Sequence, residues 1–251
     1  MSALGTLYGV GVGPGASDLL TLRAVRVLET VDVLALPRSS DFGVSVAWAI
    51  IAPVVGERAT KERLRLTFPM SKDPNEVRPR VLAAVDAIGS HLALSRSVAF
   101  VTEGDPSVFS TFGYVRQEAS RRWPDLRIEV VPGVTSITAV AGLGQVPLAD
   151  GHERIAIVPA TYGVDDLVDL FGRFDTVVLM KLGEEMPTIL AALERTGLTD
   201  RAFFVSKATM AEQRFVSDVR QLRRERGGCF SMMIVKRRDR SGRLLGDGES
   251  R

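Results

Sequence analysis

The sequence predicts an α/β protein built from two α/β domains. Three observations carry this. Short β-branched and aromatic runs alternate with segments whose apolar residues recur at helical spacing, over roughly the first 146 residues. The strand-like runs of the remainder keep helices between only some of them. Between the two parts, the segment Gln145 to Glu153 holds Pro147, Gly151 and several polar residues and reads as a linker, giving domains of residues 1–146 and 147–251. The length of 251 residues suits two domains of roughly 120 residues each.

The first strand is expected over Thr6 to Val12, with a Gly-rich turn after it and a helix over Leu19 to Glu29 whose face is Leu19, Leu22, Val25 and Leu28. Val31 to Leu36 is a second strand, stopped by Pro37. Val44 to Val55 follows as helix, Glu62 to Phe68 as strand and Glu76 to Ile88 as helix. Ser97 to Thr102 is a buried strand, Ser110 to Trp123 a helix, Ile128 to Val131 a strand ended by Pro132-Gly133, and Thr135 to Leu143 a helix. In the second part the strands are Arg154 to Val158, Thr176 to Lys181, Ala202 to Lys207 and Phe230 to Lys236, with helices over Asp165 to Phe171 and Met186 to Thr196. The polar stretch Ser241 to Arg251 reads as frayed.

Composition sets bounds. Hydrophobic residues at 45% and charged residues at 25% are ordinary globular values, and a net charge of +2 gives no footprint for nucleic acid. The Arg-rich stretches Arg220 to Arg226 and Lys236 to Arg243 read as a solvated face and a loose tail. Cys229 is the only cysteine, and His91 and His152 lie far apart, which excludes an internal disulfide and argues against a structural zinc site. The residues Met1 to Gly5 lack the basic start of a signal peptide, and the longest apolar run, Val44 to Val55, is too short to span a bilayer. A cytoplasmic protein with no membrane partner and no metal is expected.

Gly11-Val12-Gly13-Pro14-Gly15-Ala16 lies between strand and helix and fits the dinucleotide pattern G-x-G-x-x-G/A. Two features count against a phosphate cradle. The acid expected at the end of the second strand is missing, since Asp32 stands at its start and the end is Leu36-Pro37-Arg38. Pro14 removes a backbone N–H from the loop. A nucleotide-binding oxidoreductase or regulatory module is therefore the minor reading.

Ligands of open α/β sheets bind beyond the carboxyl ends of strands, and three such ends carry unusual residues. One is Pro37. Another is Thr102-Glu103-Gly104-Asp105-Pro106, where Gly104 permits close backbone approach and Asp105 either takes a ligand hydroxyl or ammonium or caps the next helix. The third is Pro132-Gly133-Val134-Thr135-Ser136, where Thr135 or Ser136 caps a helix and could also hold a carboxylate there.

Taken in order, these segments resemble the tetrapyrrole methylase family over nearly the whole chain. The family reads strand, G-x-G-P-G, leucine-rich helix, an aspartate-led strand ending in proline, a G-D-P loop and a P-G-[VI]-[TS]-[SA] turn. Here stand Gly11 to Gly15, Asp18 to Leu22, Asp32 to Pro37, Gly104-Asp105-Pro106 and Pro132 to Ser136. Phe68-Pro69-Met70, Phe109 to Phe112, Val177 to Lys181 and Phe230 to Val235 are most similar to the members that methylate precorrin-2 at carbon 20 in cobalamin biosynthesis. Ser206 to Gln213 departs from the pattern, lacking an acid and a proline that relatives carry.

The resemblance implies two α/β domains with S-adenosyl-L-methionine in the cleft between them. It implies cofactor-binding roles for Pro37, Glu103, Gly104, Asp105, Val108, Thr135, Ser136, Met180, Ala208 and Thr209. It further implies that Gly11, Gly13, Pro14 and Gly15 face a tetrapyrrole, precorrin-2 or cobalt-factor II, whose carboxylates make Arg38 a candidate partner. Members acting at another corrin carbon, on ribosomal RNA or on a modified protein histidine share the cofactor motifs. No residue is assigned as catalytic; Glu103 and Asp105 are the carboxylates available as a base. A homodimer is the family expectation.

Overall fold

The computed structural model describes residues 3–40, 45–56, 62–71, 73–228 and 230–238. Val44, Cys229 and the tail from 239 onward, for which a helix start, a lone thiol and fraying are expected, lie outside the described residues. The chain divides into two compact units, Met1–Ser136 and Ile137–Arg251.

The first unit is a five-stranded parallel sheet in the order β3-β2-β4-β1-β5. Its strands are β1 (Leu7–Gly11), β2 (Val33–Arg38), β3 (Glu62–Thr67), β4 (Val98–Thr102) and β5 (Ile128–Val131). The helices are α1 (Leu22–Thr30), α2 (Val46–Val55), α3 (Pro74–Leu92) and α4 (Phe112–Arg122). A parallel sheet covered on both faces needs apolar residues at both parities of each strand, and β2 and β4 are near-continuous apolar runs for that reason. Val33 and Ala35 pack with Val85, Ile88, Phe100 and Phe112 on the α3/α4 side. Leu34 and Leu36 pack with Leu28, Ile50 and Ile51 on the α1/α2 side.

Two boundaries differ from expectation. α1 begins only at Leu22, after a 3-10 turn at Ser17–Leu19, because Thr21 is its N-cap and its Oγ1 accepts the Ala24 N–H at 3.1 Å. The buried face is consequently Ala24 and Leu28, and Leu22 is 75% exposed. β2 does not stop before Pro37 but runs on to Arg38. Its register with β4 ends at Ala35, so Pro37 sits where the strand has β3 as its one neighbour and the missing N–H is tolerated.

The second unit carries a mixed sheet in the order β6-β7-β10-β8-β9. It comprises α5 (Ser136–Leu143), whose first residue belongs to the first unit, β6 (Ile155–Pro159), α6 (Val164–Arg173), β7 (Thr176–Met180), α7 (Met186–Thr196), β8 (Ala202–Ser206), β9 (Arg214–Val216) and β10 (Ser231–Lys236). β6 and β7 are parallel, whereas β10 runs antiparallel to β7 and β8, and β8 antiparallel to β9. Leu167, Phe171, Ile189, Leu193, Leu179 and Met233 form the core between the sheet and α6/α7. The short edge strand β9 is an element the sequence pattern does not reveal.

The Gln145 to Glu153 segment lies with this unit. The buried Lys236 ammonium donates to Pro147 O at 2.7 Å and to Thr176 Oγ1 at 2.9 Å, and stands 3.8 Å from Glu153. Thr176 Oγ1 in turn donates to Leu148 O at 2.6 Å. The arginines expected on a solvated helix face instead surround a 3-10 turn at Val219–Leu222 and pair with acids. Arg220 pairs with Asp200 and Asp218, Arg223 with Glu194 and Arg226 with Glu184.

Candidate functional site

Parallel pairing brings the carboxyl ends of β1, β2, β4 and β5 to one edge of the first sheet, and with them the first-unit residues expected to bind cofactor or substrate. Gly11, Gly13, Pro14 and Gly15 follow β1, and Pro37 and Arg38 end β2. Glu103, Gly104, Asp105 and Val108 follow β4, and Thr135 and Ser136 lie between β5 and α5. The β1 and β4 loops are joined by backbone hydrogen bonds. Gly104 N–H donates to Gly13 O at 2.8 Å, Gly13 N–H to Gly104 O at 3.3 Å, and Val12 N–H to Thr102 O at 3.0 Å. A Cβ on Gly11 would stand 2.6 Å from Gly104 O and 2.7 Å from Gly133 N; one on Gly133 would stand 2.2 Å from Gly104 O. The approach of the β1, β4 and β5 loops thus accounts for glycine at positions 11 and 133.

The Asp105 carboxylate of the β4 loop is aimed at backbone. Asp105 Oδ2 accepts the Gly133 N–H at 2.9 Å and Oδ1 accepts the Ser107 N–H at 2.8 Å. Burial pushes the Glu103 carboxyl above the usual carboxylate range, opposed by the N–H groups of Glu103 itself and of Ala47, which favour its charged form. Ala47 lies in the first turn of α2, whose N-cap is Ser45. Thr21 also reaches this edge, donating from Oγ1 to Pro132 O at 3.4 Å. Arg38 Nε donates to Thr67 Oγ1 at 3.2 Å across β2 and β3. Asp32, which a dinucleotide site would need at the far end of β2, instead accepts the Ser97 N–H and hydroxyl, both at 2.7 Å, at the amino end of the sheet.

In the second unit, β7 and β8 both run antiparallel to β10, so their carboxyl ends share one edge. Met180 closes β7, and Ala208 and Thr209 follow β8. The backbone there is strained. Lys181, Lys207 and Thr209 have φ of 56°, 48° and 64°, a left-handed conformation that costs about 1–2 kcal/mol for a residue with a Cβ. The β-branched Thr209 is the least suited to it. Its N–H donates to Gln213 Oε1 at 2.7 Å, and Met210 N–H donates to Lys207 O at 3.0 Å. In the first unit Phe109, four residues past Asp105, is likewise left-handed at φ 52° and 48% exposed. Strain of this kind collects at functional loops.

Thr21, Phe109 and Gln213 were not among the sequence candidates. Thr21 carries a readable signal, a Thr just before a helical run. Phe109 and Gln213 lie in segments quoted for the resemblance, Phe109 to Phe112 and Ser206 to Gln213, but were given no role there.

Among the described residues no group of three His, Cys, Asp or Glu side chains could hold a metal ion. None of the described helices is long and apolar enough to cross a membrane. The first-unit edge offers backbone groups, hydroxyls, the Glu103 and Asp105 carboxylates and the half-buried Arg38 guanidinium, and the second-unit edge carries Lys181, Lys207 and Thr209.

Comparison with known proteins agrees with this arrangement. Residues 6–222 match the Tetrapyrrole (Corrin/Porphyrin) Methylases. The chain is 33% identical over 222 residues to the cobalamin biosynthesis protein CobIJ of Mycobacterium tuberculosis, covering 85% of this chain and 42% of that protein, so it spans less than half of that relative's length. It is 34% identical over 207 residues to a cobalt-precorrin-2 C(20)-methyltransferase of Salmonella typhimurium and 31% identical over 218 residues to a precorrin-2 C(20)-methyltransferase of a Sinorhizobium species. Both alignments cover 82% of this chain and 85% of the relative. Among solved structures, the uroporphyrin-III C-methyl transferase of Thermus thermophilus complexed with S-adenyl homocysteine aligns with a TM-score of 0.62 at 26% identity, over 92% of this chain and 97% of that one. With the ordered motifs, the two α/β units and the match over residues 6–222 in agreement, the chain belongs to the tetrapyrrole (corrin/porphyrin) methylase family.

Proposed function

We propose that this chain is an S-adenosylmethionine-dependent methyltransferase of cobalamin biosynthesis that methylates carbon 20 of precorrin-2. The observation that carries the reading is the likeness, over 82% of this chain and 85% of each relative, to the two C(20)-methyltransferases. Cobalt-factor II is the second reading for the substrate, since the relative named for a cobalt form matches at 34% and the one named for the metal-free form at 31%.

The cofactor reading is supported by the residues present. A Cβ at Gly104 would meet no atom within 4 Å, so the tightly tied β4 loop presents open space on that side. Thr135 and Ser136 bring hydroxyls to the start of α5, where the helix dipole favours a carboxylate. In the first unit the proposed cofactor residues are Pro37, Glu103, Gly104, Asp105, Val108, Thr135 and Ser136; in the second they are Met180, Ala208 and Thr209. When bound, the cofactor supplies an electrophilic methyl group on a sulfonium leaving group.

The chain's own task is then to orient a carbon nucleophile in line with that methyl group and to keep water out. Arg38, fixed against Thr67, is the proposed partner of a substrate carboxylate. Gly11, Gly13, Pro14 and Gly15 are the proposed substrate-facing loop. Asp105 already holds two backbone N–H groups, which argues for a structural rather than a proton-transferring part. A cytoplasmic homodimer completes the reading, and sedimentation equilibrium tests the oligomeric state.

Calorimetric titration tests the class. S-adenosylhomocysteine should bind and NAD should not; the reverse result would assign the Gly-rich loop to a nucleotide-binding module.

A further inference from the structure

β3 is an edge strand of the first sheet, and its side chains alternate in character. Leu64 and Leu66 pack into the core on the α3/α4 side, so Arg63, Arg65 and Thr67 lie on the α1/α2 face. Arg38 shares that face, since it follows Leu34 and Leu36 at the two-residue period of β2. In the parallel register Arg38 stands opposite Thr67, and Leu36 opposite Arg65. A strand spacing of about 4.8 Å and a rise of about 6.6 Å over two residues put the Cα atoms of Arg38 and Arg65 about 8 Å apart. Arg38 Nε donates to Thr67 Oγ1 at 3.2 Å. Two residues before Arg65, the Arg63 guanidinium carbon lies 3.7 Å from the ring centroid of Trp48 in α2, a cation held over an aromatic face.

Three guanidinium side chains thus share one face at the β2/β3 corner. α2, the helix beside them, carries no acid. Glu62, the acid of β3 itself, lies at the other parity, where Arg96 takes it at 2.7 Å and His91 stands 3.6 Å away. Among the described residues Arg63 and Arg65 pair with no acid, whereas Arg122 pairs with both Glu118 and Asp86. Like charges set side by side repel, and an anion seated between them replaces that repulsion with attraction. A guanidinium also matches a carboxylate with two parallel N–H donors.

We propose that Arg38 and Arg65 form a carboxylate-receiving site that takes two neighbouring carboxylates of the tetrapyrrole, with Arg63 adding to the positive field behind them. The inference rests on the reading of an acidic tetrapyrrole substrate, and it uses no residue proposed for the cofactor. Charges on an edge strand also discourage edge-to-edge pairing, but that role asks nothing of Arg38 on the inner strand β2.

The test compares the parent protein with Arg65→Ala, Arg65→Lys, Arg38→Ala and a control, Arg80→Ala on α3. Each is titrated with precorrin-2 and with cobalt-factor II by absorbance, at low and high salt, and with S-adenosylhomocysteine by calorimetry. Arg65→Ala and Arg38→Ala should each weaken tetrapyrrole binding about tenfold or more and leave S-adenosylhomocysteine affinity as it was. Arg65→Lys keeps the charge without the two-donor geometry and should recover part of the loss. The parent's tetrapyrrole affinity should fall more steeply with salt than that of either alanine variant, and Arg80→Ala should match the parent. An Arg65→Ala protein that binds both tetrapyrroles as tightly as the parent overturns the site, and so does one that loses tetrapyrrole and S-adenosylhomocysteine affinity equally. A parent that binds S-adenosylhomocysteine but neither tetrapyrrole overturns the substrate reading, and the site with it.

Discussion

Gly133→Ala is the sharpest perturbation of the loop edge. Its Cβ would lie 2.2 Å from Gly104 O, 2.7 Å from Gly11 C and 2.9 Å from Gly11 Cα, all backbone atoms, where real Cβ contacts essentially never fall under 3.0 Å. Relief needs the β5 loop to retreat by about 0.8 Å, the difference between 3.0 and 2.2 Å. That retreat carries Gly133 N out of the 2.9 Å bond to Asp105. Losing a hydrogen bond to a charged group costs about 1.5 kcal/mol, and overpacking against backbone adds about 1–3 kcal/mol. The sum is about 3 kcal/mol, which lowers the melting temperature of a unit this size by about 6–12 °C. Thermal unfolding followed by circular dichroism and calorimetric titration with S-adenosylhomocysteine read the two consequences. Gly113→Ala is the control: its Cβ meets nothing within 4 Å, it lies in α4, and alanine there should add about 0.5–1 kcal/mol. A Gly133→Ala protein that melts within 2 °C or so of the parent and binds the ligand as well would refute the reasoning from loop contact.

Three further outcomes follow from the same geometry. Lys236→Met should lower the stability of the second unit by about 3 kcal/mol in urea titration, because Glu153 loses the cation facing it at 3.8 Å and two acceptors lose their donor. Gln213→Ala should speed amide exchange at Thr209 and weaken S-adenosylhomocysteine binding about fivefold, a loss of about 1 kcal/mol, whereas Gln213→Glu keeps the acceptor and most of the affinity. Glu103 gives a pH dependence of definite sign. Burial raises its pKa in the folded state above 4.5, so between that value and the raised one the folded protein binds more protons than the unfolded, and its stability contribution falls as pH rises. Glu103→Gln should remove that slope, and identical pH profiles of unfolding free energy for the two proteins would contradict it.

Much of the fold is legible in the sequence because its determinants are local. The strands of the parallel sheet are apolar runs closed by Gly, Pro or polar residues, and their order in the chain alternates with helical periodicity. Where a local rule competes with a tertiary one, legibility ends. Leu22 fits the apolar spacing of α1, yet the Thr21 cap sets the helix start and turns Leu22 to solvent. Pro37 reads as a stop, yet β2 passes it because β4 has already parted from the strand. β9 is three residues at a sheet edge, too short to leave a pattern.

At the candidate site, the sequence singles out loops by residue type, while the partners of each residue are remote in the chain. The Asp105 carboxylate also holds the Gly133 N–H, 28 residues away, a partner that no local pattern announces. That the backbone of Gly104 and Gly133 lies against Gly11 depends on strand pairing and is not visible in the Gly-rich motif. Thr209 shows nothing in sequence of its left-handed backbone or of the Gln213 oxygen that holds it.

The central claim is methyl transfer to carbon 20, and the most direct measurement supplies the protein with methyl-labelled S-adenosylmethionine and either precorrin-2 or cobalt-factor II, then reads product mass and the labelled carbon by NMR. The account predicts a single labelled methyl group at carbon 20 of one of the two substrates. Transfer to a different carbon, or no transfer to either substrate by protein that binds the cofactor, would contradict it.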